Sequence, residues 1–288
     1  MDTILPVVSP DVLSDPAIFK GIVKHKACLI SFSHYARPKD DKEKQKVLDV
    51  YKALANNGVN VVLDSGAYEV YTSKGKLKIS KEEYADFLSE YAVDDPSKGK
   101  TSLFANYINL DVIGKEEPSR DNLLYFIEKR DLRPMPVFHQ QNVAGPEYWS
   151  ALKFCMQHAD EKGVVGLGGA VGKSVDILDM WYDKINIKTA GQPRNFHALG
   201  VAAFQLLHKY RSMFYYADAG TWTWGSAAYG MIRLFDPNNP DGPWTWNLQS
   251  KELDYIPDSR IKALLKKQCS ELHMTKCDLL EKRYGGCA

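Results

Sequence analysis

The chain has 288 residues, of which 44% are hydrophobic and 25% are charged, a composition typical of a folded domain that excludes a disordered or fibrous protein. Its 37 Lys and Arg residues stand against 36 Asp and Glu residues, so any nucleic-acid binding must come from a local patch of charge. The longest apolar runs, such as 59–63 and 198–207, are far shorter than the roughly 20 residues of a membrane span, and we expect no membrane association.

Short β-branched or aromatic runs alternate with longer helical patterns along most of the chain. The runs predict seven strands, and an eighth at 230–235; the seven are 27–33, 59–64, 106–111, 135–139, 164–168, 196–201 and 214–218. Helices are predicted at 42–56, 80–92, 119–129, 146–161, 175–185 and 202–210. About eight strand–helix units predict an α/β fold of the (β/α)8 TIM-barrel type, with a doubly wound open sheet as the alternative.

The chain carries no repeat or low-complexity linker that would mark a domain boundary, so residues 1–288 are expected to form a single barrel domain. The stretch 236–243 is rich in Pro, Asn, Asp and Gly and predicts a loop, whereas 258–283 has a long, charged helical pattern. We therefore expect residues from about 236 to 288 to form a loop and a C-terminal helical extension packed on the barrel.

The N-terminal residues and the cysteines indicate the cellular compartment. Residues 1–6 lack the basic start and apolar stretch of a signal peptide. The five cysteines are irregularly spaced and make a poor disulfide framework. We expect a cytoplasmic protein with free thiols.

Polar and glycine-rich residues cluster where the predicted strands end. In chain order they are Asp64, Asp111, His139, Gly168, Gly169 and Asp218. Each of them alone could be a turn former or a helix cap. In a barrel, however, the carboxyl ends of all strands face one mouth, where active sites are built. Together these residues predict a pocket with three carboxylates and one imidazole.

Two aspartates at different strand ends suit substitution at a sugar carbon, because one carboxylate can attack the anomeric centre while the other handles the proton of the leaving group. A divalent metal held with the help of Asp111 is the alternative, although the strand ends offer few further carboxylates. The glycine-rich run 166–174 fails both nucleotide-binding motifs on spacing. Its adjacent Gly168 and Gly169 instead offer backbone free of Cβ, against which a flat ring could lie.

Six short motifs, spread over residues 59–225, carry a resemblance to a known family. They are Leu63-Asp-Ser-Gly-Ala-Tyr68, Asn109-Leu-Asp111, Pro136-Val-Phe-His139, Gly166-Leu-Gly-Gly169, His197-Ala-Leu-Gly-Val201 and Tyr216-Ala-Asp218. In this order they resemble the tRNA-guanine transglycosylase superfamily, and most of all its members that insert queuosine-related 7-deazaguanine bases into phage and bacterial DNA. The resemblance implies that guanine in DNA is exchanged for a base such as preQ0 or a derivative, after the target nucleotide is flipped out of its stack.

The same resemblance implies catalytic roles for two aspartates. By position, Asp218 matches the nucleophile that forms a covalent glycosyl-enzyme intermediate, and Asp64 matches the acid/base that protonates the leaving guanine and deprotonates the incoming base. Asp111 matches the carboxylate that hydrogen-bonds the edge of the base. The implied enzyme is a pentosyltransferase that cuts no phosphodiester.

The remaining matched residues are implied to surround the base. Gly168 and Gly169 match the backbone that reads its exchangeable face, and Tyr68 and Leu199 match the two sides of a sandwich around the ring. His139 stands where the family often has an amide side chain, so the resemblance leaves its hydrogen-bonding role open.

The chain departs from the bacterial tRNA enzymes in its C-terminal region, where those enzymes hold zinc on three closely spaced cysteines and a histidine. The residues available here are Cys269, His273, Cys277 and Cys287. Along a continuous helix Cys269 and Cys277 would lie about 12 Å apart, at a rise of roughly 1.5 Å per residue, too far to share one tetrahedral ion. We expect no cofactor, and a zinc site would require a broken helix.

Two segments are expected to contact nucleic acid. Lys74, Lys76 and Lys78 alternate beside a glycine and could form a hairpin that touches phosphates, or a hairpin that is only solvated. Trp222 and Trp224 follow Asp218 and could stack unpaired bases, or belong to a loop that closes the barrel mouth.

DNA is the expected polymer, because a chain of 288 residues has no room for the additional RNA-binding domains of the archaeal-type tRNA enzymes. A tRNA-guanine transglycosylase of minimal size and a non-catalytic, base-recognising DNA-binding subunit are the alternatives, with a glycoside hydrolase as a third. A helper ATPase or helicase is a possible partner for opening a duplex, and the sequence leaves the oligomeric state open.

Overall fold

The computed structural model describes residues 3–140, 146–192, 195–201, 203–219, 232–234 and 246–248. Eight strands form one parallel sheet: β1 (Thr3–Val8), β2 (Ala27–Ser31), β3 (Asn60–Asp64), β4 (Asn106–Tyr107), β5 (Val137–His139), β6 (Val164–Gly168), β7 (Asn195–Ala198) and β8 (Phe214–Ala219). Their spatial order is β4-β3-β2-β1-β8-β7-β6-β5. Sequential strands are therefore neighbours, with the N-terminal strand lying between β2 and β8.

Helices connect the strands along the described chain. They are α1 (Pro10–Leu13), α2 (Pro16–His25), α3 (Ser33–Ala36), α4 (Asp41–Asn56), α5 (Ala67–Thr72), α6 (Lys81–Tyr91), α7 (Glu116–Arg130), α8 (Pro146–Gln157), α9 (Val175–Lys188) and α10 (Phe204–Lys209). Three of the longer helices begin at a side chain that caps the first turn, since Asp40, Ser80 and Ser174 each accept a hydrogen bond from a backbone N–H. The observed bounds of α4, α6 and α9 lie close to the predicted ranges 42–56, 80–92 and 175–185.

The two edge strands of the sheet, β4 and β5, are joined by a parallel bridge between Ile108 and Met135. The N–H of Met135 donates to the carbonyl of Tyr107 at 2.8 Å, and the N–H of Asn109 donates to the carbonyl of Met135 at 2.9 Å. This bridge joins the edges that a doubly wound sheet would leave open, which excludes that alternative. The predicted α/β fold of the (β/α)8 type is confirmed.

Apolar side chains from the strands fill the inside of the sheet. The cluster contains Leu5, Ala27, Leu29, Val62, Ile108, Met135, Val137, Val164 and Tyr216. Two further clusters pack the outer face of the strands against the helices, one around β2 and β3 and the other around β6 to β8. Buried tyrosines tie helices to strand ends, because Tyr51 donates to the carbonyl of Ser31 at 3.1 Å and Tyr84 to that of Ile108 at 2.9 Å. These two hydrogen bonds fix the end of β2 and the residue after β4 to helices on the outside of the barrel.

A strand is present within the predicted range 230–235, but it does not belong to the barrel sheet. The strand that completes the sheet is β1, which pairs with β2 through Val7 and Leu29 and with β8 through Leu5 and Asp218. Residues Ile232–Leu234 form β9 instead, antiparallel to β10 (Trp246–Leu248). Pro6 lacks an N–H and is atypical of a central strand, which hides β1 in the sequence.

Other predicted bounds need smaller corrections. The strand at 106–111 ends at Tyr107, the strand at 27–33 gives way to α3, and α7 begins three residues before the predicted start at 119. Apart from β10, the predicted loop and C-terminal helix at 236–288 lie outside the described residues. Within the described ranges, no helix has the length and apolar character needed to cross a membrane.

Candidate active site

The four predicted polar residues lie at one end of the barrel. Asp64 is the last residue of β3, His139 is the last residue of β5, and Asp218 is the penultimate residue of β8. Asp111 follows the short β4 and is buried. Because all eight strands are parallel, these ends share one mouth, and the charges of Asp111 and Asp218 both raise the pKa of Asp64. The structure therefore brings the predicted carboxylates together.

Asp218 is held by hydrogen bonds on both of its carboxylate oxygens. Its Oδ1 lies 2.8 Å from Nε2 of His197, and its Oδ2 accepts the backbone N–H of Gly200 at 3.1 Å. The N–H of Gly200 is the donor of the second contact, whereas the donor of the first depends on the tautomer of His197. Both partners come from β7 or the turn after it, because β7 pairs with β8 in parallel register.

Asp111 forms a second carboxylate–imidazole pair on the other side of the mouth. Its Oδ2 is hydrogen-bonded to Nε2 of His139, and both side chains are buried. The barrel closure explains the pairing, since β4 and β5 meet at the bridge just before these residues. His139, whose hydrogen-bonding role the resemblance leaves open, is thus in contact with Asp111.

Gly168 does not offer the free surface that we expected. A Cβ atom on Gly168 would lie 2.6 Å from Cε1 and 2.7 Å from Nδ1 of His139, so the imidazole already occupies the space in front of this residue. The carbonyl of Gly168 also accepts the N–H of Gln140 at 3.2 Å. Gly168 therefore makes room for the Asp111–His139 pair. Gly169 is half-buried and has a φ of 88°, in the left-handed region that glycine favours.

Asp64 differs from the other two carboxylates because it has no imidazole partner in the described structure. Its Oδ2 accepts the N–H of Gly66 at 2.9 Å. Burial, and then the charge of Glu69, raise the pKa of Asp64 from 3.8 to about 8. Gly66 allows the tight turn, since it has a φ of 83° and a Cβ there would lie 2.9 Å from Cδ1 of Ile79. Asp64 therefore keeps its proton to a higher pH than an ordinary aspartate does.

Sequence reasoning missed two residues of this site. His197 begins one of the six motifs but received no role, because its position opposite Tyr216, inside the barrel, is set by the pairing of β7 with β8. Glu69 lies on α5, five residues after Asp64, and its Oε2 is buried without a hydrogen-bond partner in the described part of the chain. A second acid so close to a strand-end aspartate was the signal for Glu69.

The two residues predicted to sandwich a base are placed differently. Tyr68 lies in the first turn of α5, just after Asp64, with 48% of its surface exposed. Leu199 is half-buried and packs inside the barrel, where its Cδ1 would lie 3.0 Å from a Cβ on Gly166. Tyr68 is therefore free to stack on a ligand at the mouth, whereas Leu199 forms part of the floor.

The segment after α5, residues 73–79, forms a loop and not the predicted hairpin; we call it the basic loop. Lys74, Lys76 and Lys78 are all exposed. Ser73 shapes this loop, because its hydroxyl donates to the carbonyl of Val70 at 2.9 Å and accepts the N–H of Leu77 at 3.0 Å. Such side-chain-to-backbone bonds replace the strand ladder of a hairpin. The three lysines still lie beside the mouth.

Several predicted residues cannot be placed. Trp222, Trp224, Cys269, His273, Cys277 and Cys287 lie outside the described residues. Within the ranges that the structure does describe, no group of three or more His, Cys, Asp or Glu side chains could hold a metal ion. The alternative of a divalent metal held with Asp111 therefore has no support from the described carboxylates, and Asp111 is committed to His139.

Comparison with known proteins adds no relative to this description. No protein-family model matches the sequence, and no curated protein is significantly similar to it. The fold and the site define the chain at the level of a (β/α)8 barrel whose mouth holds two histidine-paired carboxyl groups and a third carboxyl group with a raised pKa.

Proposed function

We propose that this protein is a DNA guanine transglycosylase, which exchanges guanine in DNA for a 7-deazaguanine base such as preQ0 or a derivative. The observation that carries the proposal is the unlike surroundings of two carboxyl groups at one mouth. Asp218 is hydrogen-bonded on both oxygens, to Nε2 of His197 and to the N–H of Gly200, whereas burial and then the charge of Glu69 raise the pKa of Asp64 to about 8. Carboxyl groups driven into different protonation states are the mark of separate nucleophile and acid roles.

The first half of the exchange uses these two groups in order. A carboxylate oxygen of Asp218 attacks the anomeric carbon of a flipped-out deoxyguanosine, and the bond between that carbon and the base breaks. The departing guanine takes the proton of Asp64, which leaves Asp64 ionised. The sugar is now an ester of Asp218, and the phosphodiester backbone is intact.

The second half runs the same steps in reverse with a new base. Ionised Asp64 removes a proton from the incoming 7-deazaguanine, whose nitrogen attacks the anomeric carbon and displaces the carboxylate of Asp218. Both aspartates return to their starting states. No cofactor is needed for this balance, since one base replaces another without a change in oxidation.

Recognition of the base is assigned to the other half of the mouth. A guanine presents N–H donors on its Watson–Crick edge, and Asp111 is an acceptor held in one orientation by His139. The exposed ring of Tyr68 supplies a stacking surface, and the half-buried backbone of Gly169 supplies a further hydrogen-bonding edge. The basic loop is assigned to the phosphates that flank the flipped nucleotide.

The test is mass spectrometry of nucleosides after the protein is incubated with a set of 7-deazaguanine bases and either guanine-containing DNA or tRNA. Single-stranded DNA is included so that the reaction does not depend on a helper ATPase or helicase. We expect a deazaguanine nucleoside in DNA only, lost by a factor on the order of 10³ or more in Asp218→Asn. Asp121→Asn, which removes an exposed carboxylate on α7, is the matched control and should keep full activity.

The other outcomes identify the alternatives. A deazaguanine nucleoside in tRNA only would make the protein a tRNA-guanine transglycosylase of minimal size. Binding of DNA and guanine with no exchange in any substrate would identify a non-catalytic, base-recognising subunit.

A further inference from the structure

We propose that His197 is the positioning residue of the nucleophile, holding the carboxylate of Asp218 in its attacking orientation through both halves of the exchange. This inference rests on the proposed function for its catalytic consequence. Its structural basis is the contact between Nε2 of His197 and Oδ1 of Asp218 at 2.8 Å, deep inside the barrel.

The register of the strands places the imidazole below the carboxylate. His197 pairs with Tyr216 across β7 and β8, and Asp218 lies two residues further along β8, on the same face as Tyr216. The ring of Tyr216 meets that of His197 edge-on, with 5.7 Å between centroids. His197 is fully buried and Asp218 nearly so, which means that the histidine approaches from the core and leaves the mouth side of the carboxylate for a substrate.

The imidazole of His197 has one hydrogen-bond partner in the described part of the chain, which is Asp218. An attacking carboxylate can only accept a hydrogen bond, so the proposed role requires the proton of this contact to lie on Nε2. The other ring nitrogen, Nδ1, is buried without a partner in the described part of the chain. A residue retained only for packing at this position would be apolar, because an unpartnered buried polar atom costs stability. The imidazole is therefore explained by what it does for Asp218.

The backbone of Gly200 provides the second hydrogen bond to the carboxylate of Asp218. Its N–H bonds the second oxygen, Oδ2, at 3.1 Å, so two donors on different atoms fix the plane of the Asp218 carboxylate. Such fixation matters because a displacement of about 1 Å in a reacting group can cost about 100-fold in rate. The same donor also serves the second half-reaction, since it stabilises the carboxylate that is released when the ester breaks.

Two amide substitutions make a matched pair for the test. In His197→Gln, the side-chain amide nitrogen reaches the position of Nε2 and can still donate to Asp218. In His197→Asn, the same amide is one carbon shorter and cannot reach it. We expect His197→Gln to keep the exchange rate within about 10-fold of wild type, and His197→Asn to lose about 100-fold in kcat with an unchanged KM for the base.

A positioning role also predicts the pH dependence. A histidine that only positions Asp218 carries no proton in the reaction. Replacing it by glutamine, which cannot titrate, should therefore leave the pH–rate profile as it is in wild type. If His197→Gln loses a limb of that profile, His197 acts as a proton carrier and the positioning role is overturned. Equal rates in His197→Asn and wild type would also overturn the positioning role. Thermal unfolding curves of both proteins show that each is folded.

A measurement on the resting protein separates this proposal from the proposed function. NMR of ¹⁵N-histidine-labelled protein should show a proton on Nε2 of His197, with the signal displaced in Asp218→Asn. A proton on Nδ1 with Nε2 bare would overturn the contact whether or not the protein exchanges bases. Absence of exchange in wild type, together with the expected Nε2 signal, would refute the transglycosylase function while leaving the positioning of Asp218 established.

Discussion

The raised pKa of Asp64 predicts a measurable effect on stability, in addition to the role of this residue in the proposed exchange. A carboxyl group whose pKa is higher in the folded chain than in the unfolded chain holds its proton longer when folded. Folding is therefore favoured at low pH, and the stability contribution of this group falls as the pH rises from about 4 towards 8. Replacing Asp64 by asparagine removes this penalty while keeping an oxygen to accept the N–H of Gly66.

The size of the effect follows from the pKa of Asp64, which is raised from 3.8 to about 8. Over the roughly 3 pH units between pH 4 and pH 7, the folded state holds about one more proton than the unfolded chain. Each pH unit changes the unfolding free energy by about 1.4 kcal/mol, so the loss of stability between pH 4 and pH 7 is at most about 4 kcal/mol. The side chain of Asp64 is only half-buried, so water at the barrel mouth weakens the effect. We expect the unfolding free energy to change by about 2–4 kcal/mol.

The assay is urea unfolding of wild type and Asp64→Asn at pH 4, 5, 6 and 7. The difference in unfolding free energy should grow in favour of the asparagine variant as the pH rises, while exchange activity is lost at every pH. Using the difference removes the contribution of Asp160, a second buried carboxyl group whose pKa is raised. Asp121→Asn should show no such growth. A difference that is the same at pH 4 and pH 7 would mean that Asp64 is ionised in the folded protein, and its role as the acid would be refuted.

Three further experiments test the surroundings of the mouth. Glu69→Gln removes a charge that raises the pKa of Asp64, so the high-pH limb of the kcat/KM profile should move to lower pH; an unmoved limb would show that Glu69 has no influence on the acid. Gly168→Ala should destabilise the protein by about 1–3 kcal/mol in thermal unfolding, because the new methyl group meets His139. This loss of stability should be smaller when His139 is also replaced by alanine. Equal losses with and without His139 would contradict the close approach of the two residues. Replacing the three lysines of the basic loop by alanine should weaken DNA binding and reduce the slope of log K against log salt by about 2–3, with kcat unchanged at saturating DNA; an unaltered slope would place the phosphates elsewhere.

The sequence by itself was enough to predict the fold class and the general place of the site. Strand and helix patterns are local, so their repetition along the chain indicated a (β/α)8 barrel without knowledge of any contact. Parallel strands end on one side of a sheet, and this rule alone grouped Asp64, Asp111, His139 and Asp218 at the mouth. The sequence also indicated a basic segment beside it, although not its loop conformation.

Only the tertiary structure decided which strand closes the sheet and how the site residues pair. Leu5 and Asp218, partners across β1 and β8, are more than 200 residues apart, and no local pattern reports such a contact. The pairing of Asp218 with His197 likewise depends on the register of two strands. The proton on Asp64 depends on burial and on neighbouring charges, which exist only once the chain is folded. Residue types and their order therefore determine what chemistry is available, whereas distances across strands determine which group performs it.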